Sequence, residues 1–119
     1  MQRRPLLKVL AAATAFAAAG LTLPAFAQGY PTKPITLVVP FPAGGPIDMT
    51  TRPLAQKMSE GLGVPVVIDN RSGATTIIGT ELVAKSVPDG HTLLLISTTH
   101  AVNPGLFPKL PYDPIKDFA

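Results

Sequence analysis

The sequence predicts an α/β fold, a parallel sheet built in the order β-α-β-α-β. Three observations carry this. Apolar runs rich in β-branched residues occur at 35–39, 64–68 and 92–96. Two stretches with helical apolar spacing separate them. The runs are continuous rather than alternating, as strands covered on both faces require, and right-handed crossovers join such strands.

The first run, Ile35-Thr36-Leu37-Val38-Val39, reads as a buried strand. Residues 46–62 follow as a helix, with Leu54, Met58 and Leu62 at i, i+4, i+8 and Ala55 widening the stripe. Pro46 suits a first helical position behind Gly45, and Gly61-Leu62-Gly63 supplies the stop. Pro53 does not suit an interior, so a kink is expected, or a helix regular only from about Thr51. Residues 64–68 form the second strand and 69–73 a turn cluster. The second helix spans 76–86, with Ile78, Leu82 and Val83 on one face, and Val87-Pro88-Asp89-Gly90 ends it. Residues 92–96 are the third strand. From Ser97 onward the pattern is mostly loop, with a short helical turn near 105–109 after Asn103-Pro104 and prolines at 108, 111 and 114.

The first 27 residues read as a secretory signal peptide. Arg3, Arg4 and Lys8 make a basic start, residues 9–23 are apolar and alanine-rich, and Ala25-Phe26-Ala27 has the form of a cleavage site, with cleavage expected after about Ala27. Arg3-Arg4 followed by leucines and a lysine also fits twin-arginine export, so either route is open. Residues 28–119 suffice for one small core, not two domains. The chain ends at "DPIKDFA" without a closing element, as expected of a truncated product.

The formal charge of +3 misleads. Three of the ten basic residues lie in the signal, leaving seven against seven acids. A neutral mature chain argues against a basic groove for nucleic acid or an anionic membrane surface. No cysteine is present, which excludes disulfides, thiol catalysis, cysteine-zinc sites and a lipidated cysteine.

Ligands of parallel sheets bind beyond the carboxyl ends of the strands. Three loops leave those ends, at 40–46, 69–75 and 97–103. The first, "PFPAGGP", offers backbone N–H groups from Phe41, Ala43, Gly44 and Gly45 at a helix N-terminus, where an anion is favoured. The alternative is a tight turn that holds nothing. Asp48, near the third helical position, complements the helix end rather than touching ligand. The third loop supplies Ser97, Thr98, Thr99, His100, Ala101 and Asn103, a set of neutral donors suited to a small polar ligand. No nucleophile elbow accompanies His100, which reads as structural or hydrogen-bonding, and His91 reads as a surface residue. Arg71 is expected to pair with Asp69 or Asp89 rather than to meet a carboxylate, and Asn70-Arg71-Ser72 spells a glycosylation sequon. Asp69 sits where a dinucleotide fold places its ribose-binding acid, but neither G-x-G-x-x-G nor a P-loop is present, so no nucleotide cofactor is expected. No metal site is read.

Taken together, "YPTKPITLVVPFPAGGPID", "LGVPVVIDNRSGA", "GTELVAKSVPDGHTLLL" and "THAVNPGLFPKLPYDPIKDFA" resemble the substrate-binding receptors of tripartite tricarboxylate transporters, the Bug family. The resemblance covers essentially the whole chain after the signal. It implies a periplasmic receptor with two α/β lobes of the type II periplasmic-binding-protein kind, of which this chain matches the front of the first. It implies no enzymatic activity, capture of a small carboxylate, and delivery to membrane permease subunits by a monomer. It implies that Phe41, Ala43, Gly44 and Gly45 on one loop and Thr98, Thr99, His100 and Ala101 on the other lie at the cleft. There the family holds the ligand carboxylate through backbone groups and ordered water. The chain departs from the family pattern at Thr75, Thr76 and Ile77, where further glycines and an asparagine are usual, and at Pro46 and Ile47, where hydroxyl residues are common. A sheet without its remaining cover exposes an apolar edge, and one wall of a cleft cannot exclude water. The isolated chain is therefore expected to bind weakly or not at all.

Overall fold

The structure, a computed structural model, describes residues 29–119, so the signal-peptide reading lies outside the described residues. Its core is a parallel sheet of three strands in the order β2-β1-β3. The strands are β1 (Ile35–Val39), β2 (Val66–Asn70) and β3 (Thr92–Leu94). Helix α1 (Pro46–Leu62) connects β1 to β2, and a 3-10 turn (Ala74–Thr76) with α2 (Ile77–Ala84) connects β2 to β3. Helix α3 (Thr98–Leu106) follows β3. The α/β class and the β-α-β-α-β order are as predicted.

β1 is central. Ile35, Val38 and Val39 are fully buried, which is why its sequence is apolar without alternation. Leu37 and Val39 pack with Ala55 on the α1 side, joined by Phe41, Ile47, Val66, Ile68, Leu93 and Leu95. β2 lies two residues later than predicted. Pro65 has no N–H and contributes only its carbonyl, which takes the Ile35 amide at 2.9 Å. The ladder then pairs Ile35 with Val66 through to Val39 with Asn70. β3 is shorter than predicted. The register puts Val38 opposite Leu94, so the next same-face pair is Pro40 with Ile96, and Pro40 has no N–H to extend the ladder.

Helix α1 is helical from Pro46 onward with Pro53 inside it, so the late start expected near Thr51 is not seen. Pro53 is exposed, as is Met49 four residues before it, so the carbonyl deprived of its partner lies on the water side. The helix closes on Gly63 in the left-handed conformation, whose N–H bonds the Ser59 carbonyl. The buried stripe differs from the predicted one. Asp48, Thr51 and Ala55 face the sheet, whereas Leu54 and Leu62 are exposed. Polar contacts at the start of the helix set its rotation: Asp48 is tied to the loop after β1 and to the end of β2, and Thr51 satisfies its hydroxyl on the Ile47 carbonyl at 2.6 Å. Helix α2 likewise buries Gly79, Thr80 and Val83, leaving the predicted Ile78 and Leu82 outward. A Cβ on Gly79 would lie 2.9 Å from both the Arg71 carbonyl and Pro40, so only glycine lets α2 seat this closely on the ends of β1 and β2.

The largest correction concerns residues 97–106. The predicted loop is a helix, capped by Ser97, whose Oγ accepts the Thr99 amide at 3.3 Å. His91 is also corrected. It is buried, accepting the Thr32 amide on Nε2 at 3.2 Å while Nδ1 meets the Asp89 carbonyl at 3.1 Å. Lys33 pairs with Asp89 at 2.6 Å, Tyr30 donates to the Gly90 carbonyl at 2.6 Å, and the Tyr30 and His91 rings meet edge to face. These contacts fasten the start of the described chain to the turn before β3.

Candidate functional site

The three strand ends are linked by a relay of side-chain hydrogen bonds. In the loop after β1, Gly44 takes φ +78°, a left-handed conformation that favours glycine. Its N–H donates to Asp48 Oδ2 at 2.8 Å. Asp48 is fully buried and also accepts from Arg52 Nε at 2.8 Å and Asn70 Nδ2 at 3.0 Å. The Gly44 amide, then Asn70 and Arg52, hold its carboxyl below the usual carboxylate range despite burial. Asp48 thus complements the helix end, as the sequence indicated, and also fastens the loop. Asn70 shares its Nδ2 with the Phe41 carbonyl at 3.2 Å, so the sequon asparagine is occupied internally.

At the second strand end, Ala74, Thr75 and Thr76 all have positive φ, of 45°, 52° and 73°. Each such residue costs about 1–2 kcal/mol without a glycine, so the run persists only because its surroundings hold it. Thr76 Oγ1 meets Thr99 Oγ1 at 3.3 Å, and Thr99 Oγ1 meets Ser97 Oγ at 2.8 Å. Asn103, fully buried one turn after Thr99, donates to the Thr75 carbonyl at 2.9 Å.

The eight residues singled out from the sequence fall into two groups at neighbouring strand ends. Phe41, Ala43, Gly44 and Gly45 follow β1, and Thr98, Thr99, His100 and Ala101 form the first turn of α3 after β3. Two of the four expected loop donors are already spent, because Gly44 bonds Asp48 and Gly45 bonds the Pro42 carbonyl at 3.2 Å. The N–H groups of Phe41, Ala43 and Thr98 meet no acceptor among the described residues. His100 is turned to another task. Its amide bonds the Ser97 carbonyl at 3.0 Å, its Nε2 meets the Pro114 carbonyl at 3.1 Å, and its ring packs with Tyr112 and Phe118. The structural reading of its side chain is the one this geometry supports. Arg71 is held by both oxygens of Asp69 at 2.9 Å, as expected. The unspent groups after β1 and at the start of α3 are therefore neutral donors. Sequence reasoning missed Asn70, Thr76 and Asn103 as organising residues. Only Ser97, a capping residue ahead of α3, left a readable signal.

A groove of about 620 Å³ lies between β3, α2 and the C-terminal segment, and of the eight residues singled out from the sequence only His100 lines it. Among the described residues no group of His, Asp and Glu is arranged to hold a metal ion, and no helix is long and apolar enough to cross a membrane.

A three-stranded parallel sheet with helices on its faces and neutral donors at its strand ends defines the class, an α/β lobe of the periplasmic-binding-protein kind. Residues 50–119, more than half of the chain, match the tripartite tricarboxylate transporter family receptor model, TctC, and the chain belongs to that family. It is 47% identical over 103 residues to protein BugT of Bordetella pertussis, covering 85% of this chain and 32% of that protein. Among solved structures it resembles the periplasmic binding protein BugD, with TM-score 0.70 and 42% identity, covering 74% of this chain and 29% of that one. It also resembles MatC from Rhodopseudomonas palustris with bound malate, with TM-score 0.69 and 43% identity, covering 74% and 30%. The chain thus spans about a third of the length of these relatives.

Proposed function

We propose that this chain is the front part of the first lobe of an exported solute receptor. The receptor captures a small carboxylate and passes it to the permease subunits of a tripartite tricarboxylate-type transporter. The observation that carries the reading is the pair of neighbouring strand ends with unspent neutral donors: the amides of Phe41 and Ala43 after β1, and the amide of Thr98 at the start of α3. Peptide N–H groups and helix starts suit a carboxylate without a fixed counter-charge. Family membership and the malate bound by MatC favour a small dicarboxylate. The role is binding rather than catalysis, with no nucleotide cofactor and no nucleic-acid partner. The signal at residues 1–27 would deliver the chain to the periplasm by the Sec or the twin-arginine route, where it acts as a monomer.

The residues described supply one wall of such a cleft, so weak binding or none is the expectation. Calorimetry of the isolated chain with a panel of small carboxylates and their uncharged diol counterparts tests it. Saturable heat with the carboxylates alone supports the reading, and equal heat with the diols overturns it. A micromolar or tighter isotherm would overturn the one-wall argument instead. A competing reading, an inert remnant of such a receptor, draws on the exposure of Val67 on edge strand β2 and of Ile96 just beyond β3. Aggregation without a cooperative melt would favour it.

A further inference from the structure

We infer that Asn103 is a positioning residue for the carboxylate site. It holds the left-handed run Ala74-Thr75-Thr76 against α3 and so fixes where Thr76 and Thr99 meet. The inference rests on the receptor reading above, and it names a residue which that reading does not use. Three consecutive non-glycine residues at positive φ are unstable unless clamped from outside the turn. The side chain that clamps the backbone of the turn from α3 is Asn103. Asn103 Nδ2 donates to the Thr75 carbonyl at 2.9 Å and lies 3.4 Å from Thr76 Oγ1. Within the turn, the Ile77 amide bonds the Ala74 carbonyl and Thr80 Oγ1 donates to the Thr76 carbonyl at 2.8 Å. These local bonds follow from the turn and do not tie it to α3. The ties to α3 are Asn103 and the Thr76–Thr99 hydroxyl contact at 3.3 Å.

The geometry of α3 fits that role. Asn103 lies four residues after Thr99, so the two side chains share a face of the helix, and that face meets the turn. Asn103 is fully buried, and its Oδ1 has no partner among the described residues. A buried amide with half its capacity unmet carries a desolvation cost, so it contributes through the two contacts its nitrogen makes. Through them the second strand end is locked to the first turn of α3, where Thr98 and Thr99 lie.

The test uses the full chain and three variants, read by amide hydrogen exchange and by titration with malate. In Asn103→Ala the amides of Ile77 and Thr99 should exchange about tenfold faster, as the loss of roughly one buried hydrogen bond implies, while the Leu37 amide in β1 is unchanged. Adding Thr75→Gly should restore slow exchange, because glycine holds the left-handed conformation unaided and Thr75 is exposed. Malate binding should weaken at least about tenfold in the single variant and recover in the double. A side chain that merely filled space would not be rescued by a glycine on another element. If Asn103→Ala does not fold, Thr76→Val, which removes only the hydroxyl between Asn103 and Thr99, should speed exchange at the same two amides. Unchanged exchange at those amides, or loss that Thr75→Gly does not restore, overturns the inference. A wild-type chain that ignores malate counts against the receptor reading for that ligand, while the exchange data still decide the role of Asn103.

Discussion

Asn70 and Asp48 are joined by a 3.0 Å hydrogen bond between the end of β2 and the first turn of α1. The same Asn70 nitrogen reaches the Phe41 carbonyl at 3.2 Å, so one side chain holds both the loop after β1 and the helix that follows it. The buried carboxylate is tolerable because the Gly44 amide, Asn70 and Arg52 all donate to it. Substituting Asn70 by alanine should destabilise the fold by about 1.5–3 kcal/mol, the range for a hydrogen bond to a charged group. It should also let the Asp48 carboxyl rise toward its ordinary value of 3.8. A carboxyl held low in the folded state stabilises above its unfolded pKa and loses that stability as pH falls through its folded one. Acid unfolding of the variant should therefore begin at higher pH, which melting curves across pH 2–6 would detect. An unchanged acid limb would show that Asn70 does not support the charge.

Two glycines should respond to alanine for opposite reasons. Gly44 has open space where a Cβ would go, but φ +78°, so Gly44→Ala should cost about 1–2 kcal/mol through backbone strain alone. Gly79 has an ordinary helical backbone but no room, with the Arg71 carbonyl and Pro40 each 2.9 Å from a built Cβ. Gly79→Ala should cost about 1–3 kcal/mol through displacement of α2. Chemical denaturation would compare the two. Chemical-shift changes should stay within residues 41–48 for the first and spread into α2, β1 and β2 for the second.

The element order was legible because β1 is buried on both faces and had to be written as an uninterrupted apolar run. The rotation of the helices was not. The stripe through Leu54, Met58 and Leu62 has the right period, but the phase is set by Asp48 and Thr51, whose partners lie in the loop after β1, at the end of β2 and on the helix's own backbone. Helix α3 was hidden because Thr98, Thr99 and Asn103-Pro104 all argue locally against a helix, while the cap at Ser97 and the burial of Asn103 against the Thr75–Thr76 turn favour it. The burial of His91 depends on Thr32, 59 residues earlier, and nothing near His91 announces it. The strand-end loops were legible as a group from the fold rule, but which of their donors remain unspent was not. That depends on Asp48 folding back onto Gly44.

Thr75 offers a stabilising substitution. It is exposed, it sits at φ 52° and ψ 49°, and its backbone carbonyl rather than its side chain meets Asn103. Thr75→Gly relieves a left-handed penalty of about 1–2 kcal/mol. It adds back about 0.5–1 kcal/mol of unfolded-state entropy. A net gain of up to about 1.5 kcal/mol is expected, visible as a raised denaturation midpoint with an unchanged slope. A lowered midpoint would mean that the turn is not strained at Thr75.

The clasp at Asp89 should give the fold a second acid sensitivity. Lys33 donates to Asp89 Oδ2 at 2.6 Å and the His91 amide donates to Oδ1 at 3.0 Å, and together they lower the Asp89 carboxyl from 3.8 to about 2. Because the folded value is the lower one, the clasp contributes fully above about pH 4 and is lost as pH falls toward 2. Lys33→Met removes the largest of these causes, so the Asp89 carboxyl should titrate at higher pH in the variant. Tyr30 and Thr32, fastened to Gly90 and His91, should loosen earlier during acidification. The effect on overall stability should be small, since Lys33 is more than half exposed and water screens the pair. NMR titration of the Asp89 carboxyl, followed together with the Thr32 amide, measures both. If Lys33→Met leaves the Asp89 titration where it was, the low value comes from the His91 amide and not from the lysine.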